Sequence, residues 1–550
     1  MATVLELLIK HLKSWNVTHI FGIPGRPVGP LVKEIAQQNV TFVLTRHETG
    51  AGYAAAGFAL QRNTLGVAFG TSGPGGINLL TAAGQAMAYN APVLFITGQA
   101  SASQIGKSYS QDSSQFGSDL VKMFEPVTKY SARVERGDSF KNHLQHAIEN
   151  AFSNVKGPVH LSIPLDVLLE EITPFEIELP TIAHTTATNI DTVFQHINEA
   201  KKPVFLLGKG VRSSNSYEEV FEIATRWNIP VITTAGGKGT FPTDHPLSFG
   251  VFGLGGTKQA DHYLKSGVDV MIVAGTSLSD MSLAGFNSSF FPDKVIHFDY
   301  DSTFVGKSIP RPTIYVPGDL KENLKAIVDR MLSINNSISI KCNDFQVLTC
   351  GEQNEEPKNS GYISASSAVR VIRRNLPKSA KVFADVGSHA YYAVKYFDVY
   401  QPNTFFFDDR FIAMGNGIGY AVGAKMAMYD SSMPVACITG DGCMLMHGTE
   451  IATAVEQSAP VLFFVFNNGS LDMVETGMKH WLECPGHAVY KNNVDFVSFA
   501  KSLGCEGYHC INEEDIEMAI QQGLKNSVPS VIEIMVDPEE IPPTLKREES

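Results

Sequence analysis

The sequence predicts an α/β chain of three doubly wound parallel-sheet domains. Runs rich in β-branched and aromatic residues alternate with Ala- and Leu-rich helical stretches, the rhythm of parallel strands covered by crossover helices. That rhythm breaks twice, at 170–189 and at 334–361. The length of 550 residues then divides into blocks of roughly 150 to 190 residues, an ordinary domain size.

The first block, 1–170, opens with VLELLIKHLKS, in which Leu5, Leu8, Ile9 and Leu12 fall at helical spacing with Lys10 and Lys13 between them. A surface helix is expected here, since a basic leader and a small-residue cleavage site are lacking. Strands follow in VTHIFGI, VTFVLTR, TLGVAFG, APVLFITG and GPVHLSIP. The stretch 170–189 has two prolines and a Thr-rich end without periodicity, and reads as a linker. The second block, 190–333, carries KKPVFLLGKG, IPVITTAGG, VDVMIVAGT, KVIHFDYD and PTIYVPGD before a last helix near 319–333. Residues 334–361, polar and irregular, form the second linker. The third block, 362–550, carries KVFADVG, NTFFFDD, MPVACITGDG, APVLFFVFNN and VPSVIEIMVD.

Composition narrows the function. With 44% hydrophobic and 18% charged residues the chain has sizeable cores to bury and is not disordered. A net charge of −13 without a dense Lys/Arg block argues against nucleic acid as a partner. Seven cysteines, at 342, 350, 437, 443, 484, 505 and 510, form no Cys-x-x-Cys pair, so neither a disulfide framework nor a zinc site is expected. Apolar windows such as APVLFFVF (459–466) have strand length, far below the roughly 20 residues of a membrane span. A cytoplasmic protein that engages no membrane is expected.

Chemistry concentrates in the third block. Gly440-Asp441-Gly442 follows the apolar strand PVACIT, and 24 residues further on the strand VLFFVF ends in Asn467-Asn468. Taken singly these are a turn and a helix cap. Paired, each at the carboxyl end of a buried strand, they place hard oxygen donors where open α/β sheets bind anions, a pattern that suits Mg²⁺ shared with a diphosphate.

With this pair the sequence resembles the thiamine diphosphate-dependent enzymes. FGIPG (21–25), RHETGAGYAAAG (46–57), TSGPGGINLLTA (71–82), DVGSH (385–389), AMGNGIG (413–419) and NNGSLDMV (467–474) are similar, in that order, to segments of the acetolactate synthase-like branch. The resemblance implies a pyrimidine-binding domain (1–170), a central domain (190–333) and a diphosphate-binding domain (362–550). It implies that Glu48 hydrogen-bonds N1′ of the aminopyrimidine and so favours formation of the thiazolium nucleophile. Met414 would hold the cofactor bent. Asp441, Asn468 and the Ser470 carbonyl would bind Mg²⁺, and Gly387, Ser388, His389, Gly440, Gly442 and Cys443 would hold the diphosphate. Ile412, Leu471, Met473 and Val474 would complete the cofactor wall, and Asn78 would order the glycine-rich segment after the GPGG turn. Gln111 is the match for a glutamine on the substrate side. At least a homodimer, commonly a homotetramer, with sites between subunits is implied.

The sequence also departs from that branch. Where acetolactate synthases carry glycine, phenylalanine and tryptophan around the substrate, it carries Arg26, Ser110 and Gly477, which suggests a larger or anionic acceptor. FAD, held on the central domain of many relatives, is disfavoured because VAGTSLSDM (273–281) lacks the expected arginine. The function expected is carboligation: decarboxylation of a 2-oxo acid such as pyruvate and transfer of the acyl unit to a carbonyl acceptor. The alternatives are a non-oxidative decarboxylase or lyase, including the oxalyl-CoA decarboxylase type, a flavin-dependent oxidase of the pyruvate oxidase type, or a cofactor-binding regulatory subunit without turnover.

Overall fold

The computed structural model describes residues 1–180, 185–333 and 361–544. Its first block contains β1 (Ala2–Thr3), β2 (His19–Gly22), β3 (Thr41–Leu44), β4 (Gly66–Gly70), β5 (Val93–Gln99), β6 (Ser131–Arg133), β7 (Val159–Pro164) and β8 (Glu171–Ile172). Six of these make a parallel sheet in the order β3-β2-β4-β5-β7-β6, while β1 and β8 pair antiparallel to each other. The second block contains β9 (Pro203–Leu207), β10 (Val231–Thr233), β11 (Ser248–Val251), β12 (Val270–Ala274), β13 (Lys294–Asp299) and β14 (Thr313–Pro317), ordered β11-β10-β9-β12-β13-β14. The third contains β15 (Lys381–Ala384), β16 (Phe405–Phe406), β17 (Val435–Gly440), β18 (Val461–Asn467), β19 (Glu506–Cys510) and β20 (Ser530–Met535), ordered β16-β15-β17-β18-β20-β19.

Counting strands within each block, the first and third sheets both run 2-1-3-4-6-5. The central sheet runs 3-2-1-4-5-6, the order of dinucleotide-binding folds. Central strands such as β5, β12 and β18 are buried along their whole length, as strands covered by helices on both faces must be.

The stretch 170–189 is less of a linker than the sequence suggests. Its β8 pairs with β1, and Phe175, Ile177 and Leu179 pack on the first core. The second linker, 334–361, lies outside the described residues except for its last position. The N-terminal helix Val4–Ser14 is held by a capping box in which Thr3 and Glu6 satisfy each other's backbone N–H groups, and its apolar side is buried. Among the described residues no helix is long and apolar enough to cross a membrane.

First and third blocks share one core. The helix Glu48–Arg62, ETGAGYAAAGFALQR, is apolar nearly all round, so it must be covered on more than one side. It crosses the helix Asn416–Met426, its counterpart after the second strand of the third sheet. Glycines allow the backbones to touch: a Cβ at Gly57 would overlap the Tyr420 carbonyl, and one at Gly423 would overlap that of Ala54. Beside the crossing, Glu450 of the third block accepts hydrogen bonds from the backbone N–H groups of Arg46 (3.0 Å) and His47 (2.8 Å). Burial raises the pKa of the Glu450 carboxyl.

Candidate active site

In an open α/β sheet ligands bind where the strand order reverses. In the third sheet that point lies between β15 and β17, and a cavity of about 370 Å³ opens there. Gly387, Ser388 and His389 line it from the loop after β15; Gly440, Asp441, Gly442 and Cys443 from the end of β17; and Asn468, Ser470, Leu471, Met473 and Val474 from the segment after β18. Ile412 and Met414 complete the wall. The third-block residues expected around the cofactor are thus brought together, and every described residue lining the cavity lies between Ala365 and Glu540.

Hidden carboxylates order this cavity. Asp385, fully buried, accepts from Val386 N (2.8 Å), Gly415 N (2.9 Å) and Thr439 Oγ1 (3.0 Å), tying three lining segments to one point. Burial raises its pKa to about 6 against the pull of those donors. Asp441 accepts from Gly442 N (2.7 Å) through one oxygen and from Gly469 N (2.8 Å) and Ser470 N (3.1 Å) through the other. It therefore clamps the loop after β18 to the end of β17, and burial raises its pKa to about 6 as well. Of the Asn-Asn pair, Asn467 turns inward to Glu533 (2.8 Å), whereas Asn468 lines the cavity and accepts from Ser470 Oγ (3.0 Å).

The donor set fits a metal diphosphate. His389 donates to the Asp385 backbone carbonyl, burial lowers its pKa to about 3, and its Nε2 is buried without a partner, so this nitrogen could donate to a phosphate oxygen only in the protonated ring that a neighbouring anion would favour. A Cβ at Gly387 would lie 2.6 Å from the His389 ring, so the approach to that ring depends on glycine. Asp441, Asp472, Asp537 and Glu540 all line the cavity, and a diphosphate among so many carboxylates would be repelled without a divalent cation. Among the described residues no three His, Cys, Asp or Glu side chains converge as a metal site. A cation here would rely on the Asp441 carboxylate, the Asn468 amide oxygen and the Ser470 carbonyl, with the phosphates supplying the remainder.

Four polar residues of the cavity escaped the sequence reading. Asp472, whose pKa is raised by burial, faces Ser388 and Asn468; it sits inside the NNGSLDMV motif, where its place at the start of the helix Asp472–Trp481 disguises it as a first-turn residue. Tyr392 and Asp537 carry no motif. Glu540 is recruited from the C-terminal segment, where it caps the helix Ala365–Asn375 by accepting from Ala365 N (2.5 Å) and Ser364 Oγ (3.1 Å).

The first-block candidates gather elsewhere, along the carboxyl edge of their own sheet. Glu48, 8% exposed, begins its helix and accepts from Asn78 Nδ2 (3.0 Å) through Oε2, while Oε1 faces Gly75. Gln111, with φ +58°, packs on Gly73. Ser110 and Arg26 are exposed on the loops beyond. None of the five lines the third-sheet cavity, and Gly477 does not line it either, packing instead against Trp481.

A wider cleft of about 930 Å³ lies at the switch point of the central sheet, where Lys209, Gly210, Gly275, Thr276 and Ser277 meet Asp409 and Phe411 of the third block. Lys209 is committed there to Asp408 at 2.6 Å, a buried pair that also receives Gln85 Nε2 at 3.0 Å. The junction thus draws one side chain from each domain.

Comparison with known proteins agrees with this architecture. The N-terminal TPP-binding domain of thiamine pyrophosphate enzymes matches residues 2–120, the central domain 190–327 and the C-terminal TPP-binding domain 385–534. The probable acetolactate synthase large subunit of Methanocaldococcus jannaschii is 31% identical over 98% of this chain and 92% of its own length. An acetolactate synthase of Mycobacterium bovis is 31% identical over 97% of the chain and 88% of its own. For the acetolactate synthase isozyme 1 large subunit of Escherichia coli the figures are 29%, 98% and 94%.

Proposed function

Because the chain belongs to the thiamine pyrophosphate-dependent enzymes of the acetolactate synthase group, which form carbon–carbon bonds, we propose that it is an Mg²⁺-dependent carboligase. It decarboxylates a 2-oxo acid, with pyruvate as the first donor to test, and joins the remaining acyl unit to a carbonyl acceptor. The bound cofactor supplies the carbon nucleophile and the electron sink for the departing carboxylate. The protein's part is to position, to exclude water and to move protons. Glu48 holds a proton at N1′ of the aminopyrimidine. Met414 would press against the cofactor from one side, with Ile412, Leu471, Met473 and Val474 completing the apolar wall. Asp441, Asn468 and the Ser470 carbonyl hold Mg²⁺, and the segments at Gly387–His389 and Gly440–Cys443 hold the diphosphate. Gln111, Ser110 and Arg26 lie on the substrate side. The reaction is redox-neutral, so a flavin would have no electrons to carry in it.

One observation carries the reading: among the described residues the cavity is lined only by the third block, while Glu48 lies on the edge of another sheet. A complete site then takes its first block from a second copy, and the enzyme is at least a homodimer. Incubation with Mg²⁺, thiamine diphosphate, pyruvate and a panel of carbonyl acceptors, following CO₂ and carbon products together, tests the reaction. A ligated product is expected; CO₂ with only free aldehyde would turn the reading to a decarboxylase. Mixing inactive Glu48→Gln and Asp441→Ala subunits tests the shared site. Random reassortment into dimers restores one intact site in half of the molecules, about a quarter of wild-type activity. No recovery after verified subunit exchange would place each site within one chain.

A further inference from the structure

The first and third sheets have the same strand order, so each has a switch point between its first and third strands. In the third sheet the loops there build the cavity. In the first sheet they are the turn after β2, carrying Arg26, and the turn after β4, carrying Thr71. These turns touch: a Cβ at Gly25 would collide with Thr71 Oγ1. Pro27 packs against β5, within 2.7 Å of where a Cβ on Gly98 would stand. Arg26 therefore stands over the ends of β2, β4 and β5, on the edge that also carries Glu48.

Three hydrogen-bond donors on this edge have nothing to donate to. Arg26 is exposed and has no ionic or hydrogen-bond partner among the described residues. Thr71 Oγ1 is buried without a partner. Gln99, 1% exposed at the end of β5, spends its Oε1 on Ala100 N (2.9 Å) and Ser113 N (3.3 Å), and its Nε2 is left unpartnered. Ser113 in turn accepts from Gly73 N at 2.6 Å, so Gln99 is tied to the same turn as Thr71. The carboxylates of this edge are engaged elsewhere: Glu48 accepts from Asn78, Asp112 from Ser114 and Asp166 from Ala102 N. Unpaired buried donors are costly, and a guanidinium, a hydroxyl and a carboxamide together match an oxyanion.

We propose that Arg26, with the Thr71 hydroxyl and the Gln99 carboxamide, forms an oxyanion subsite for the carboxylate or phosphate that the acceptor retains in the product. This deepens the carboligase reading and rests on it. The donor's own carboxylate is the wrong client. It leaves as neutral CO₂, so a cation holding it would stabilise the ground state more than the transition state and slow the step. A charge that survives the reaction is held equally throughout, and a fixed arginine then confers selectivity.

The test uses full-length protein loaded with Mg²⁺ and thiamine diphosphate, pyruvate as common donor, and 2-oxobutanoate, glyceraldehyde 3-phosphate and propanal as competing acceptors. The wild type should favour one charged acceptor over propanal by at least about tenfold, and which one it favours separates carboxylate from phosphate. Arg26→Gln should lower that ratio at least about tenfold through KM for the charged acceptor, Thr71→Val about threefold, and Arg26→Lys should fall between wild type and Arg26→Gln because an ammonium keeps the charge without the planar fork. An unchanged ratio in Arg26→Gln overturns the proposal. Calorimetry with isobutyrate and methyl phosphate, oxyanions without a carbonyl, separates the subsite from the reaction. Binding weakened at least about tenfold in Arg26→Gln supports the subsite even if pyruvate proves the wrong donor, and equal binding or none overturns it.

Discussion

The first and third sheets are topological copies whose carboxyl edges have diverged. In the third, Asp385 and Asp441 draw three loops over the switch point and close a cavity whose walls come from one block. In the first, the same edge stays open: Arg26, Ser110 and Gln111 are exposed, and Thr71 and Gln99 hold donors without partners. A cavity already closed by its own domain can retain a ligand, whereas an open edge with unspent donors needs something brought to it. A shared strand order therefore fixes where chemistry can occur, and the side chains on the loops decide whether a domain grips or presents.

Substitutions can break this division. The largest effect is expected on the open edge: Glu48→Gln should lower kcat by about 10³-fold, as loss of an essential proton-transfer group does, while cofactor retention stays near wild type. A parallel loss of retention would show that Glu48 serves the cavity instead. Next, Asp441→Ala should weaken Mg²⁺-dependent retention by about 10²-fold, measured as thiamine diphosphate remaining after gel filtration, because it removes a buried charge and three hydrogen bonds together. Unchanged retention would remove Asp441 from the metal site.

Smaller effects test what the two sheets share. Gly423→Ala forces a methyl onto the Ala54 carbonyl and should cost about 2–3 kcal/mol of stability, read by denaturant unfolding; a neutral result would mean the helix crossing can relax. The smallest concerns the buried histidines. His160 of β7 is satisfied by Thr97 Oγ1 and Ser131 Oγ, both at 2.8 Å, and burial lowers its pKa to about 3. Between that value and an unfolded value of about 6.5 the unfolded chain binds a proton that the folded chain refuses, so stability is full above pH 6.5 and falls with pH, by about 2 kcal/mol at pH 5. His160→Gln should remove that part of the acid limb. Unlike His389, which has a free ring nitrogen in the cavity, His160 should give the same limb with or without cofactor.

What was legible in the chain follows burial. Strands covered on both faces, such as VLFITGQ and VLFFVFN, read as continuous apolar runs. Ser131–Arg133, Ser248–Val251 and Glu506–Cys510 did not, because each is short and at a sheet edge, and its polar or glycine positions need no second cover. Ala2–Thr3 and Glu171–Ile172 are two-residue strands that exist only through each other. In the site, Asp441 and Asn468 were readable because their motifs lie directly after buried strands. Glu540 was not, since its role is to cap a helix that begins 175 residues earlier in the chain.

The sequence by itself determined the alternating α/β pattern and the pair of polar strand ends around Asp441 and Asn468. Those are local properties, set by which residues can lie buried in a strand and which oxygens can stand at its end. Only the tertiary structure decided that β15 and β17 lie side by side, that Asp385 ties their loops to Gly415, and that Glu48 and Arg26 belong to a different edge. Those relations depend on strand order and on the glycine-lined crossing of two helices, and neither is encoded in any contiguous stretch of the chain.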